Sequence, residues 1–197
     1  MSTTNQQKYL GSNPVQQWLL RRFLGRLVDT IVAQQPLSIL EVGCGEGYLL
    51  NQIHQRLPGV KKKGYDVFDE ALAEGRRLFP DLSLATGDIY DLPDADNAWD
   101  IVVASEVLEH LADPVAALRE LKRVAKRTAV LSVPHEPWFR LGNLGRLQYL
   151  RRFGNHPEHM NQWTKGQFAK QVDGIMPVHQ VSGSFPWTIV LADSSVV

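Results

Sequence analysis

The chain has a single cysteine, Cys44, so it cannot close a disulfide within itself and reads as a protein of a reducing compartment. It also lacks an excess of charge of either sign. Lys and Arg number 21 and Asp and Glu number 21, which leaves no global field to gather nucleic acid or an anionic membrane, although a local basic patch stays open. No apolar run reaches the length of about eighteen residues that a membrane-spanning helix needs. The first residues, Met1 to Val15, are polar and carry no apolar stretch of the signal-peptide kind. These absences point to a cytoplasmic protein. Internal repeats and low-complexity tracts are missing too, which excludes solenoids and disordered arrays.

What is present suits one globular domain, residues 1–197, with a sizeable core: 197 residues, 44% of them hydrophobic and 21% charged. Short apolar runs bounded by turn residues alternate with helical patterns, the signature of an α/β fold with a largely parallel sheet. Asn13-Pro14 opens a helix over about 13–34, in which Trp18, Leu19, Phe23, Leu27, Ile31 and Val32 recur at helical spacing, and Pro36 ends it. Strands are expected at Ser38 to Gly43, Lys63 to Val67, Leu82 to Gly87, Trp99 to Ser105 and Arg127 to Val133. Two later ones are expected at Val178 to Ser182 and Trp187 to Ala192. Trp99 to Ser105 is apolar almost throughout, as a strand buried on both faces must be. Asp113-Pro114 caps the helix that follows it. His135 to Trp163 breaks the alternation and is expected to be an insertion or lid.

Four elements carry the chemistry. The first is the turn Glu41-Val42-Gly43-Cys44-Gly45-Glu46-Gly47 between a strand and a helix. Its glycines, at every second position, permit positive φ and a close approach of ligand to backbone. The last glycine departs from the G-x-G-x-x-G spacing of dinucleotide enzymes. Asp66 closes the next strand, 23 residues beyond Gly43 (66 minus 43), where an acid accepts hydrogen bonds from ribose hydroxyls. Gly87-Asp88-Ile89 offers an acid for an adenine amino group and an apolar cover for the ring. Asp100 to Glu106 delivers polar groups to the carboxyl end of a strand, where open α/β sheets bind ligands.

Taken in order and spacing, these elements resemble the class I S-adenosylmethionine-dependent methyltransferases over roughly Leu37 to Val133. The likeness is closest in Ile39 to Gly47 and in Gly87 to Pro114, where Gly-Asp-Ile-Tyr-Asp-Leu-Pro precedes Ser-Glu-Val-Leu-Glu-His-Leu-Ala-Asp-Pro. The resemblance implies a Rossmann-like, mostly parallel seven-stranded sheet with helices on both faces and a reversed last hairpin. It implies S-adenosylmethionine as cofactor, bound by Glu41, Gly43, Cys44, Gly45, Asp66, Val67, Asp88, Ile89 and Ser105, with the glycine turn facing its methionine end, Asp66 binding the ribose, and Asp88 with Ile89 the adenine. The family's Lys-Pro-Gly-Gly turn is replaced here by Ala125-Lys126-Arg127-Thr128, far from that site.

A second pattern leads elsewhere. Glu106, Glu109 and His110 stand at i, i+3 and i+4, so on a helical turn they would share one face. With a distant His159 before Trp163-Thr164, they resemble the small-RNA 2′-O-methyltransferases, in which two Glu and two His hold a divalent metal. That resemblance implies Glu106, Glu109, His110 and His159 as ligands of Mg²⁺ or Mn²⁺. The same Glu-Val-Leu-Glu-His run occurs in metal-free methyltransferases of small molecules, and the metal-free reading is the first of the two. In it Glu106 and His135 lie nearest the reaction, and the acceptor is a small or amphiphilic molecule. The alternatives are RNA as acceptor with the metal, and a non-catalytic cofactor-binding partner of another subunit. In the irregular stretch, Trp138, Leu141, Leu144, Leu147, Leu150 and Phe153 alternate with Arg140, Arg146, Arg151 and Arg152. A lid, an interfacial segment, a nucleic-acid grip and a plain packing helix with a basic rim all fit that pattern, the last most simply.

Overall fold

A computed structural model of the protein describes residues 13–136 and 160–195. The insertion read at about 135–163, with His159 and the aromatic-arginine stripe, lies outside the described residues for all but its ends.

Helix α1 (Pro14–Ala33) opens at Asn13, whose side chain accepts from the Val15 and Gln16 amides, with Pro14 in the first turn where a missing N–H costs nothing. It ends where Gln35 turns to a positive φ of 48° before Pro36. Then follow β1 (Ser38–Val42), α2 (Tyr48–Arg56), β2 (Lys61–Asp66), α3 (Asp69–Leu78), β3 (Leu84–Thr86) and β4 (Trp99–Ser105). A 3₁₀ turn (Leu108–His110), α4 (Pro114–Val124), β5 (Ala125–Pro134), α5 (Lys165–Asp173), β6 (Val178–Ser184) and β7 (Trp187–Asp193) complete the order.

The strands form one sheet of seven in the order β3-β2-β1-β4-β5-β7-β6. Strands β1 to β5 pair in parallel; β7 runs antiparallel between β5 and β6, closing the sheet with a reversed hairpin. The chain winds outward from β1 to β3 and then returns to β4 on the other side of β1. That reversal opens a crevice between the carboxyl ends of β1 and β4, the place where doubly wound sheets bind ligands.

Alternation along the strands divides the core into two layers. Ile39, Ile101, Val103, Val130, Ile189 and Leu191 face one side and pack beneath Phe23, Leu27 and Ile31 of α1 and Leu49 and Ile53 of α2. Leu40, Val102, Ala104, Leu131 and Val190 face the other, against Leu118 and Leu121 of α4 and Phe168 and Val172 of α5. Because side chains alternate, Glu41 falls on the face of Ile39, Ser105 on that of Val103, and Ser132 on that of Val130. With Trp187 they make a polar rim to the apolar layer under α1 and α2.

Candidate functional site

The turn after β1 is built by three left-handed residues, Gly43, Gly45 and Gly47, at φ of +75°, +53° and +82°. This conformation costs a side-chain-bearing residue roughly 1–2 kcal/mol, and at Gly43 there is no space either. A methyl group there would stand 2.3 Å from Val107 Cγ2. The turn after β1 and the segment after β4 therefore touch across the crevice. Behind the turn, the Gly43 and Cys44 amides donate to the Tyr65 carbonyl at 2.7 and 3.0 Å. Gly75 of α3 and Gly64 of β2 let neighbours close in, because an added methyl would lie 2.6 Å from the Glu46 carbonyl oxygen and 2.7 Å from Cys44 Sγ.

Asp66 fastens the turn from the next strand. Its Oδ2 accepts from the Gly45 amide at 2.7 Å and its Oδ1 from the Phe68 amide at 2.9 Å. Glu41 lies beneath, buried at 3% exposure. The Leu50 amide donates to one carboxylate oxygen, while Oε2 meets no hydrogen-bond partner. Burial first, and then the charge of Asp66, push its carboxyl up to about 8. Glu41 is thus a neutral acid at pH 7 in this state. The Cys44 thiol is turned into a small core with Leu50, Leu72, Leu82 and Leu84, and burial raises it well above the ordinary thiol range. Only its backbone reaches the crevice side of the turn.

Farther along the carboxyl edge, Asp88 accepts from the Tyr90 amide at 2.9 Å and pairs across a tight turn with Asp91. Ile89 is buried in the core. The exposed apolar groups here are Val67, Phe68 and Tyr90, at 55%, 70% and 39%. Sequence reasoning named Val67 but missed the two aromatics. The available signal for Phe68 was its place directly after the strand-ending Asp66-Val67, outside any helical or alternating pattern.

Beyond β4 the backbone departs from the helical turn that the Glu-x-x-Glu-His spacing suggested. Glu106 stands before the 3₁₀ turn with φ of +60°, and this left-handed step sends its carboxylate toward the hairpin. There Oε2 accepts from the Trp187 indole N–H at 2.7 Å. Glu109 is buried within the 3₁₀ turn, and its carbonyl accepts from the Met160 and Asn161 amides. His110 is partly exposed, with Nε2 4.0 Å from Glu109 Oε1. Among the described residues, no three His, Cys, Asp or Glu side chains converge so as to hold a metal ion; His159 is outside them. Ser105 Oγ and Ser132 Oγ are hydrogen-bonded at 2.9 Å. The His135 amide donates to the Pro186 carbonyl at 2.8 Å, and burial, then Lys165, lower the basicity of its imidazole.

A doubly wound sheet with a reversed last hairpin and a left-handed glycine turn at its switch point is a fold of the class I methyltransferase kind. Comparison with known proteins agrees. Residues 40–133 match the methyltransferase domain family. A methyltransferase of Schizosaccharomyces pombe is 42% identical over 99 residues, covering 45% of this chain and 36% of that protein. Ajmaline N-methyltransferase of Rauvolfia serpentina is 30% identical over 128 residues, covering 57% of this chain and 44% of that protein. The fold is that of magnesium protoporphyrin IX methyltransferase from Synechocystis, solved with bound S-adenosylhomocysteine, at a TM-score of 0.70 and 20% identity, over 92% of this chain and 88% of that one. Over residues 40–133 the chain is thus similar to S-adenosylmethionine-dependent methyltransferases, and its fold is theirs. It spans less than half the length of the two curated relatives named.

Proposed function

We propose that the protein transfers a methyl group from S-adenosylmethionine to a small or amphiphilic molecule. The observation that carries this reading is the left-handed glycine cradle at the head of the crevice between β1 and β4, locked to Asp66 of the neighbouring strand β2. Its residues fit the cofactor: the left-handed Gly43, Gly45 and Gly47 offer bare backbone at the turn, and Glu41 keeps a buried carboxyl oxygen without a partner below it. Gly43, Cys44 and Gly45 would present backbone to the methionine end, with Glu41 beneath and Ser105 beside them. Asp66 would take the ribose hydroxyls and Val67 flank them, while Asp88 and Ile89, with Phe68 beside them, would take the adenine. The cofactor supplies a methyl group already activated by a sulfonium centre, so the protein's part is chiefly to orient the acceptor and exclude water.

Glu106 and His135 stand at the carboxyl ends of β4 and β5, on the acceptor side. The lowered basicity of His135 keeps its imidazole neutral at pH 7, as a proton acceptor must be. The exposed Trp18, Phe185 and Met160 suit an acceptor with apolar surface. The named activity of the Rauvolfia relative is methylation of a small molecule at nitrogen, which is consistent with this acceptor class. No described helix is long and apolar enough to cross a membrane.

The test is calorimetric binding of S-adenosylhomocysteine, followed by transfer of tritiated methyl from S-adenosylmethionine to panels of hydroxylated and aminated metabolites, and to RNA 3′ ends with Mn²⁺. Micromolar binding with incorporation into a metabolite is the expected result. Incorporation only into RNA with Mn²⁺ would replace this reading with the metal-assisted one through Glu106, Glu109, His110 and His159. Binding without any incorporation would favour a non-catalytic partner subunit, and no binding would end the methyltransferase reading.

A further inference from the structure

Trp187 lies on β7, remote in sequence from the glycine turn and Asp66, yet two contacts of its own and one of the neighbouring Pro186 tie this hairpin to α1 and to the segments after β4 and β5. Its indole N–H donates to Glu106 Oε2 at 2.7 Å. Its ring stacks on Phe23 of α1, with centroids 4.6 Å apart and planes 17° apart. The Pro186 carbonyl beside it accepts from the His135 amide, so the hairpin also holds the segment after β5. Glu106 itself sits in a left-handed conformation, a strained state that persists only where its surroundings fix it. The next residue, Val107, is in contact range of the glycine turn, as the 2.3 Å approach at Gly43 shows.

We propose that Trp187 is a positioning residue: braced by Phe23, it holds the Glu106 carboxylate at the sulfonium end of the cofactor site. This rests on the methyltransferase reading above. In that arrangement the carboxylate distinguishes a cationic centre from a neutral sulfur at the same place. The indole N–H keeps it aimed there.

The experiment needs no knowledge of the acceptor. Two probes are titrated by calorimetry: S-adenosylhomocysteine, with a neutral sulfur, and sinefungin, an analogue in which a carbon replaces the sulfur and bears an ammonium group where the sulfonium methyl would be. Wild type is expected to favour sinefungin. Trp187→Phe keeps an aromatic ring against Phe23 and removes the N–H. It should shift the affinity ratio toward S-adenosylhomocysteine by about three- to tenfold, as should Glu106→Gln, and the double variant should shift it no further than Glu106→Gln alone. A purely structural role for Trp187 would weaken both probes alike and leave the ratio unchanged, which would overturn the proposal. So would an unchanged ratio in Glu106→Gln, which carries the test if Trp187→Phe does not fold. If wild type binds neither probe, the methyltransferase reading itself has failed and this proposal falls with it.

Discussion

The Gly45 amide donates to Asp66 Oδ2 at 2.7 Å, joining the turn after β1 to the last residue of β2. The same carboxylate accepts from the Phe68 amide, so one side chain sets the shapes of two loops that border the crevice. Asp66→Ala removes both acceptors and strands a buried amide at Gly45. The expected loss is about 1–3 kcal/mol of stability, seen as a lower midpoint in urea. Affinity for S-adenosylhomocysteine should fall by more than tenfold. Asp66→Asn, which retains one acceptor oxygen, should fall between. Unchanged affinity in Asp66→Ala would remove Asp66 from the cofactor site.

Glu41 gives a prediction in pH. Its carboxyl is raised from 4.5 to about 8 in the folded chain, chiefly by burial. The folded state therefore keeps a proton that the unfolded chain releases once pH passes 4.5. By linkage, the stability associated with this group is full below that value and is lost as pH rises toward about 8. Glu41→Gln keeps the shape and an acceptor for the Leu50 amide but cannot ionise. Relative to wild type, the variant should gain stability between those limits, on the order of 2 kcal/mol by pH 8 after allowing for relaxation around the charge. Urea melts of both proteins at several pH values measure the difference. A constant difference across the range would mean that Glu41 ionises in the folded state as it does in water.

Much of this architecture was legible beforehand. Apolar runs bounded by turn residues located the strands, and apolar residues at helical spacing the first helix, because those residues meet a core; Trp99 to Ser105 was read to the residue because it is buried on both sides. The glycine turn and Asp66 could be read because their backbone demands admit few residue types. What stayed hidden depends on distant contacts. Nothing local marks Trp187 as a partner of Glu106, 81 positions away. Nor could spacing show that Glu106 takes a left-handed step before a 3₁₀ turn, since the helical pattern of Glu106, Glu109 and His110 assumes the regular turn it was meant to test. Nor does the sequence show the neighbours that press on Gly64 and Gly75.

Gly75 supplies a prediction with an internal control. In α3 a glycine is a poor helix former, and alanine would ordinarily be an improvement of about 1 kcal/mol. Here the added methyl would stand 2.6 Å from the Glu46 carbonyl oxygen and Leu84 Cδ1. Backbone must shift, so Gly75→Ala should destabilise by about 1–3 kcal/mol and, by moving the glycine turn, weaken S-adenosylhomocysteine binding. Gly25 in α1 has nothing within 4 Å of the same added atom. Gly25→Ala should raise stability by about 0.5–1 kcal/mol without touching ligand affinity. Equal effects at the two sites would show that propensity, not crowding, governs Gly75.

Arg123 of α4 holds the connection that follows Asp88 and Ile89. Its guanidinium donates to the Leu92 and Asp94 carbonyls at 3.0 and 2.8 Å, to Asp96 at 2.8 Å, and to both oxygens of Glu120 at 2.7 Å. Glu120 in turn accepts from the Leu92 amide, so both backbone groups of Leu92 are gripped from one helix. These bonds hold Arg123 firmly protonated and lower the carboxyl of Glu120. Lysine has no planar fork and could satisfy only part of this set. Arg123→Lys should therefore leave the sheet intact but release the connection: hydrogen exchange at the Leu92 amide should speed up by about tenfold or more, whereas amides of β4 and β5 stay protected. If the connection supports the adenine end of the site, S-adenosylhomocysteine should bind more weakly in the variant, and saturating ligand should restore part of the lost protection. Faster exchange with undiminished affinity would separate the two, making the Arg123 network a brace for the fold alone and placing adenine recognition on the β2 side, at Val67 and Phe68.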